Sequence, residues 1–193
     1  FLKIQSEIKK TIVFVTHDIN EALKMRDKIA LLKDGELVQY DTPIRLLSKP
    51  KNDFVAAFVG ADRALKGLRL MKVGEIMRTS PPMVKVDEDI AVVKRRMEEE
   101  GIEWLMVVGD DRKFLGWVGK SYLEKGDRLK DIIVPPATTA DRNTPLSDAL
   151  SYMLGSAVGT LAIVDDRGSL EGELVFDGLR EALGRIGAEE GEV

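Results

Sequence analysis

Apolar residues in this chain fall into short runs separated by turn residues, and part of the pattern recurs at a fixed interval. Residues 1–10 set Leu2, Ile4 and Ile8 among lysines and Glu7, the pattern of an amphipathic helix. Residues 11–16 form an unbroken run of β-branched residues and phenylalanine, which predicts a buried strand. Asp18, with Glu21 three residues on, predicts a capped helix reaching about Met25. Extended runs at 28–33 and 36–40 flank Asp34-Gly35, a hairpin signal. Thr42-Pro43 predicts the start of a short helix through Leu47. Asn52 or Asp53 opens another over 54–59, closed by Gly60. Residues 61–70, basic through Arg63, Lys66 and Arg69 and carrying Gly67, are expected to be a flexible linker.

Beyond residue 71 the chain repeats itself. A shift of 56 residues, without gaps, places Ile76 on Ile132, Ile90 on Leu146, Met97 on Met153 and Leu105 on Leu161. The same shift places Val107 on Ile163, Asp110 on Asp166, Gly116 on Gly172 and Leu123 on Leu179. Each copy predicts a short helix, an extended piece, a helix, a buried strand, a turn, a second strand and a closing helix. In the first copy these include a helix at 73–77, Ile90, Val93 and Met97 on one helical face, and strands at 104–108 and 114–118. In the second copy Thr144 is expected as N-cap and Pro145 as the first helical residue.

Composition narrows the function classes. Hydrophobic residues make up 44% and charged residues 32% of 193 positions, as in folded soluble chains. No run approaches the ~18 apolar residues of a membrane span, and nothing at the start resembles a signal peptide. The absence of cysteine removes disulfides, thiolate metal ligands and cysteine nucleophiles, and fits a reducing compartment. Net charge is −4 overall, but residues 1–70 carry +4 and residues 71–193 carry −8. The acidic part is a poor partner for nucleic acid. No metal-ligand spacing and no nucleophile–base arrangement is present.

Two resemblances follow from these motifs. The repeat lines GEIM, VKVDEDI, VVGDD and FLGWV, with KDII, TPLSDAL, AIVDD and LEGELV, resemble a tandem pair of CBS domains, the small β-α-β-β-α modules named after cystathionine β-synthase. Such pairs form one disc with two clefts that in many members bind adenosine-containing nucleotides, and discs commonly pair. The line THDINEA, followed by DKIALLKDGELVQYDTP and NDFVAAFVG, resembles the C-terminal end of an ABC-transporter ATPase. The order of the two resembles the ATP-binding subunit of the glycine betaine/carnitine/proline importers, in which the CBS pair regulates transport in response to ionic strength or a nucleotide. The implied fold class is α/β and α+β: a C-terminal ABC ATPase remnant over 1–60, a linker over 61–70, CBS domains over 71–126 and 127–187, and an acidic tail over 188–193.

The resemblance assigns His17 to the switch histidine that contacts the γ-phosphate of ATP, with Asp18 beside it capping the next helix. The chain has no GxxxxGK[ST] phosphate loop, no ABC signature and no apolar strand ending in Asp-Glu ahead of His17. Only ten residues precede residue 11, so ATP hydrolysis by this chain alone is not expected. Nucleotide-binding CBS members carry a Ser/Thr three residues after the last-strand glycine and an Asp three further on. Those positions are Gly119 and Tyr122 in the first copy and Val175 and Gly178 in the second, so neither copy has the pair. Ser121 and Asp177 lie one residue away, and Thr138, Thr139 and Thr160 are candidates for the opposite wall of a cleft holding AMP, ATP or cyclic di-AMP. No cofactor is expected to be required. The run Glu98–Glu100 with Glu103 is a solvated helix end or a salt-sensitive docking surface. The expected partners are a second copy through the CBS pair and the transporter's membrane subunits, at the cytoplasmic face of the membrane. A free-standing adenylate sensor and a ligand-free dimerisation module are the alternatives.

Overall fold

The computed structural model describes residues 11–25 and 27–187 and divides the chain into two units, Phe1–Leu70 with Ala182–Val193, and Met71–Glu181. The expected helix over 1–10 and the acidic tail over 188–193 lie outside the described residues.

In the first unit, β1 (Ile29–Lys33) and β2 (Glu36–Asp41) pair antiparallel around Asp34-Gly35. Both turn residues take positive φ, 50° and 85°, as a two-residue turn that follows the strand twist requires. Three helices begin at side chains that accept a first-turn amide. Asp18 caps α1 (Ile19–Lys24), Thr42 caps α2 (Pro43–Ser48) and Asn52 caps α3 (Asp53–Val59). Glu21 does not close the reciprocal capping box. Its carboxylate accepts from the Thr16 hydroxyl at 2.7 Å. Gln39 is buried, and its amide ties the hairpin to the end of α2. Its Nε2 donates to Lys49 O at 3.0 Å and its Oε1 accepts from Lys51 N at 2.9 Å.

Two expectations for this unit fail. Residues 11–16 form no strand, and Val13 and Val15 are 86% and 88% exposed. A β-branched run supplies strand propensity, but a buried strand also needs neighbouring strands on its edges, and no described residue pairs with it. Residues 61–70 are not a loose linker either, because Arg63–Leu70 is a helix, α4, with Leu68 buried. Gly67 is there for closeness, not flexibility: a Cβ at this position would lie 2.5 Å from Ile186 Cδ1.

The second unit holds the two copies as far as Glu181. The first comprises a 3-10 turn (Val73–Glu75), β3 (Met83–Lys85), α5 (Ile90–Glu99), β4 (Trp104–Val108) and β5 (Phe114–Gly119), with sheet order β3-β4-β5. The second comprises α6 (Leu129–Ile132), α7 (Leu146–Leu154), β6 (Thr160–Val164), β7 (Leu170–Val175) and α8 (Phe176–Gly187). The β-bulge between Val107 and Val108 recurs 56 residues later between Ile163 and Val164. Thr144 precedes the true cap by one residue. Pro145 occupies the N-cap of α7, and the Thr144 hydroxyl accepts from Asp141 N at 3.2 Å. The first copy lacks the expected closing helix and ends in a 3-10 turn, Lys120–Tyr122. Gly126 stands where the second copy has Ala182, and glycine opposes helix propagation by about 1 kcal/mol.

Both faces of β4 are covered, which is why its run is apolar without alternation. Leu105 and Val107 join Val93, Met97, Leu123 and Ile132 in one core. Met106 and Val108 face Ala162 and Leu170 of the other copy. The copies also exchange backbone pairs. Arg78 bridges Glu173 through hydrogen bonds of 2.8 and 2.9 Å, and Trp117 bridges Val134 through bonds of 2.9 and 2.8 Å. These bridges are related by the 56-residue shift. A third, Lys113 with Ser169, joins two residues that are each other's equivalents and so lies on the pseudo-twofold axis. The crossing strands come close over glycine: a Cβ on Gly116 would sit 2.3 Å from Val134 O, and one on Gly172 would sit 2.4 Å from Arg78 O.

Candidate ligand-binding site of the repeat pair

His17 is exposed at the bend before α1. Asp18 beside it is spent on capping, its Oδ1 accepting from Asn20 N at 2.7 Å. Among the described residues no group of three or more His, Cys, Asp or Glu could hold a metal ion.

The exchanged bridges define two equivalent positions in the second unit. At one of them Arg78 of the first copy converges with Thr160 and Glu173 of the second. Glu173 is 5% exposed, Arg78 Nη1 lies 3.9 Å from its Oε1, and Thr160 Oγ1 lies 3.3 Å from its Oε2. The same hydroxyl lies 3.0 Å from Leu174 O, so its single proton chooses between two acceptors. Burial pushes the Glu173 carboxyl above its ordinary range, and the Thr160 hydroxyl and the Arg78 guanidinium oppose that shift. A carboxylate held this way is a strong acceptor with spare lone pairs, beside a guanidinium whose side chain is 60% exposed. Such a set can bind a ligand by hydrogen bonds and charge.

At the other position the equivalent residues are Trp104 and Trp117 of the first copy and Val134 of the second, and the chemistry inverts. Trp117 is 3% exposed, packs edge-on against Phe114 at 4.8 Å, and its Nε1 has no hydrogen-bond partner among the described residues. Trp104 lies against Gly119, where a Cβ would be 2.9 Å from its ring, and against Tyr122 at 5.8 Å. Lys125 Nζ sits 4.1 Å over the Tyr122 ring.

The residues singled out from sequence are spread across this arrangement. Thr160 is in the polar cluster. Asp177 stands in the first turn of α8 and pairs with Arg180. Ser121 is exposed in the 3-10 turn beside Tyr122. Thr138 donates to the neighbouring Thr139 O at 3.3 Å, and no hydrogen bond of the described residues joins either threonine to Thr160. Sequence reasoning missed Arg78 and Glu173. The sequence carries a signal for them, since the 56-residue shift sets Glu173 against a tryptophan and Arg78 against a valine. The acidic run is partly neutralised within its own helix: Arg95 faces Glu99 at 4.0 Å and Arg96 faces Glu100 at 3.1 Å.

Comparison with known proteins agrees with this geometry. The CBS domain family matches residues 73–124 and 129–185. CBSX2, solved in complex with AMP, superposes with a TM-score of 0.55 at 22% identity over 60% of this chain and 98% of its own. A CBS domain pair/ACT domain protein from Thermotoga maritima gives 0.54 at 23% identity over 58% and 96%. These establish the fold. Among curated proteins, an osmoprotectant import ATP-binding protein of Salmonella typhimurium is 34% identical over 95% of this chain and 48% of its own length. A carnitine transport ATP-binding protein of Listeria monocytogenes is 33% identical over 86% and 43%. A glycine betaine/proline betaine transport ATP-binding protein of Escherichia coli is 29% identical over 98% and 48%. The chain thus spans about half the length of the curated relatives it matches. With two matched modules built as one pseudo-symmetric unit, the chain belongs to the CBS domain family, and over most of its length it is similar to ATP-binding proteins of osmoprotectant and carnitine transport.

Proposed function

We propose that this chain is the regulatory C-terminal portion of the ATP-binding subunit of an osmoprotectant importer for glycine betaine, carnitine or proline-type solutes. The observation that carries the proposal is the order of parts. A THDINEA segment, a hairpin and three capped helices precede a CBS pair, and a relative named for osmoprotectant import matches across 95% of the chain. In this reading residues 11–16 and His17 belong to an ATPase sheet completed by other residues of the full subunit, which accounts for the exposure of Val13 and Val15. The CBS pair senses ionic strength or an adenine nucleotide and passes the state to the ATPase. The subunit works at the cytoplasmic face with membrane partners, and pairs with a second copy. Among the described residues no helix is long and apolar enough to cross a membrane.

The test uses the full-length subunit assembled with its membrane partners. ATP hydrolysis is followed against potassium chloride and against AMP, before and after removal of residues 71–187. The expected result is retained basal hydrolysis with the salt or nucleotide response gone. An unchanged response would overturn the proposal.

A further inference from the structure

Two backbone bridges of the same geometry and opposite chemistry join the copies. Arg78 and Glu173 exchange hydrogen bonds of 2.8 and 2.9 Å, and Trp117 and Val134 exchange bonds of 2.9 and 2.8 Å. The 56-residue shift turns one bridge into the other. The Trp117 bridge is apolar, with Trp117 packed among Phe114, Met106, Ala162 and Leu170, and neither of its side chains carries a charge. The other bridge holds a buried carboxyl. The groups acting on Glu173 are the Thr160 hydroxyl from β6 and the Arg78 guanidinium from the segment ahead of β3. Burial disfavours the charged carboxylate, so its place in the bridge depends on these two partners.

The guanidinium is the vulnerable partner. Arg78 Nη1 lies 3.9 Å from Glu173 Oε1, and its side chain is 60% exposed, so dissolved ions reach that side of the pair. An attraction across this distance survives when the Debye length is about 10 Å, near 0.1 M salt, and is mostly screened when it is about 3 Å, near 1 M. A carboxylate that loses its counter-charge is driven toward water. The Glu173 amide and carbonyl that leave with it are the bridge itself. The place of Arg78 along the chain adds meaning. It lies on the stretch that leads from the first unit into β3, whereas Val134 lies between α6 and α7, inside the second unit.

We propose that the Arg78–Glu173 bridge is a salt-sensitive latch between the two copies, closed at low ionic strength and loosened at high. The Trp117–Val134 bridge is its fixed counterpart and keeps the copies joined when the latch loosens. The latch rests on the reading of the pair as a salt-responsive regulator, and names the contact on which salt acts.

The test is hydrogen exchange in the purified chain at neutral pH, at 0.1 and 1 M potassium chloride, read at the amides of Arg78, Glu173, Trp117 and Val134. The second pair is the control for any general effect of salt. Exchange at Arg78 and Glu173 should rise about threefold or more relative to Trp117 and Val134 between the two salt concentrations. Glu173→Gln, which keeps the shape and removes the charge, should abolish that rise. Arg78→Gln, a change at an exposed side chain, should give fast latch exchange at both concentrations, and Arg78→Lys should keep the salt response. Thermal unfolding of each variant confirms that it is folded, and if Glu173→Gln is not, the two Arg78 variants decide. Four amides that respond alike in wild type, or a selective rise that persists in Arg78→Gln, would overturn the latch. Either result would leave the truncation test of the transporter free to succeed through another contact.

Discussion

The crossing of one copy over the other at Gly172 can be weighed by filling it. A methyl group there would sit 2.4 Å from Arg78 O and 3.2 Å from its carbonyl carbon, both backbone atoms that cannot rotate away. The segment would have to retreat by about 1 Å, which typically costs 1–3 kcal/mol as overpacking. The two hydrogen bonds between Arg78 and Glu173 would stretch with it, at about 1 kcal/mol each. Gly172→Ala should therefore destabilise the second unit by about 3–5 kcal/mol. For a unit of roughly a hundred residues that lowers the melting temperature by about 12–20 °C. Gly184 supplies the control. It lies inside α8, has no positive φ, and a Cβ there would meet nothing within 4 Å. Gly184→Ala should raise stability by about 0.5–1 kcal/mol through the entropy of the unfolded chain. Thermal melts of both variants, with hydrogen exchange at the Arg78 and Glu173 amides, make the comparison. A Gly172→Ala protein that melts with the wild type and protects those amides would refute the reasoning.

Other outcomes follow from single groups. Glu173 binds its proton more tightly folded than unfolded, so its contribution to stability is fullest at low pH and is lost as pH rises from the ordinary carboxyl range through the raised folded value. The stability of Glu173→Gln relative to wild type should grow with pH across that window in chemical denaturation, and a pH-independent difference would contradict the burial account. Gln39→Ala removes the hydrogen bonds from this side chain to Lys49 O and Lys51 N and should destabilise the first unit by about 1–3 kcal/mol, seen as a lowered first transition in urea. Asp18→Ala removes the cap of α1 and should cost about 1 kcal/mol locally, read as faster exchange at Asn20.

What was legible in the sequence was whatever depends on near neighbours. Thr42, Asn52 and Asp34-Gly35 specify caps and a turn within four residues, and each forms as expected. The 56-residue interval was legible because both copies bury the same strand positions against the same kind of helix. Features that join distant segments were not. The Arg78–Glu173 bridge spans both copies, and neither residue type suggests a strand partner. Gly67 and Gly172 look alike in sequence to any loop glycine, yet each exists because another chain segment lies against it. Residues 11–16 mislead for the complementary reason: their propensity is real, and the pairing that would use it is not among the described residues. For the candidate site, Thr160 was reachable as a strand-end hydroxyl. Glu173 was hidden in an apolar run, where its meaning comes from burial beside Arg78.

The central claim, that the CBS pair governs an osmoprotectant importer, is tested most directly in sealed vesicles. ATP-driven glycine betaine uptake by the intact transporter is measured as lumenal potassium chloride and AMP are varied on the side facing this unit. The account predicts that uptake responds to salt or nucleotide in the native transporter and becomes insensitive to both when residues 71–187 are removed, with transport itself preserved. Uptake whose response survives that removal would contradict it.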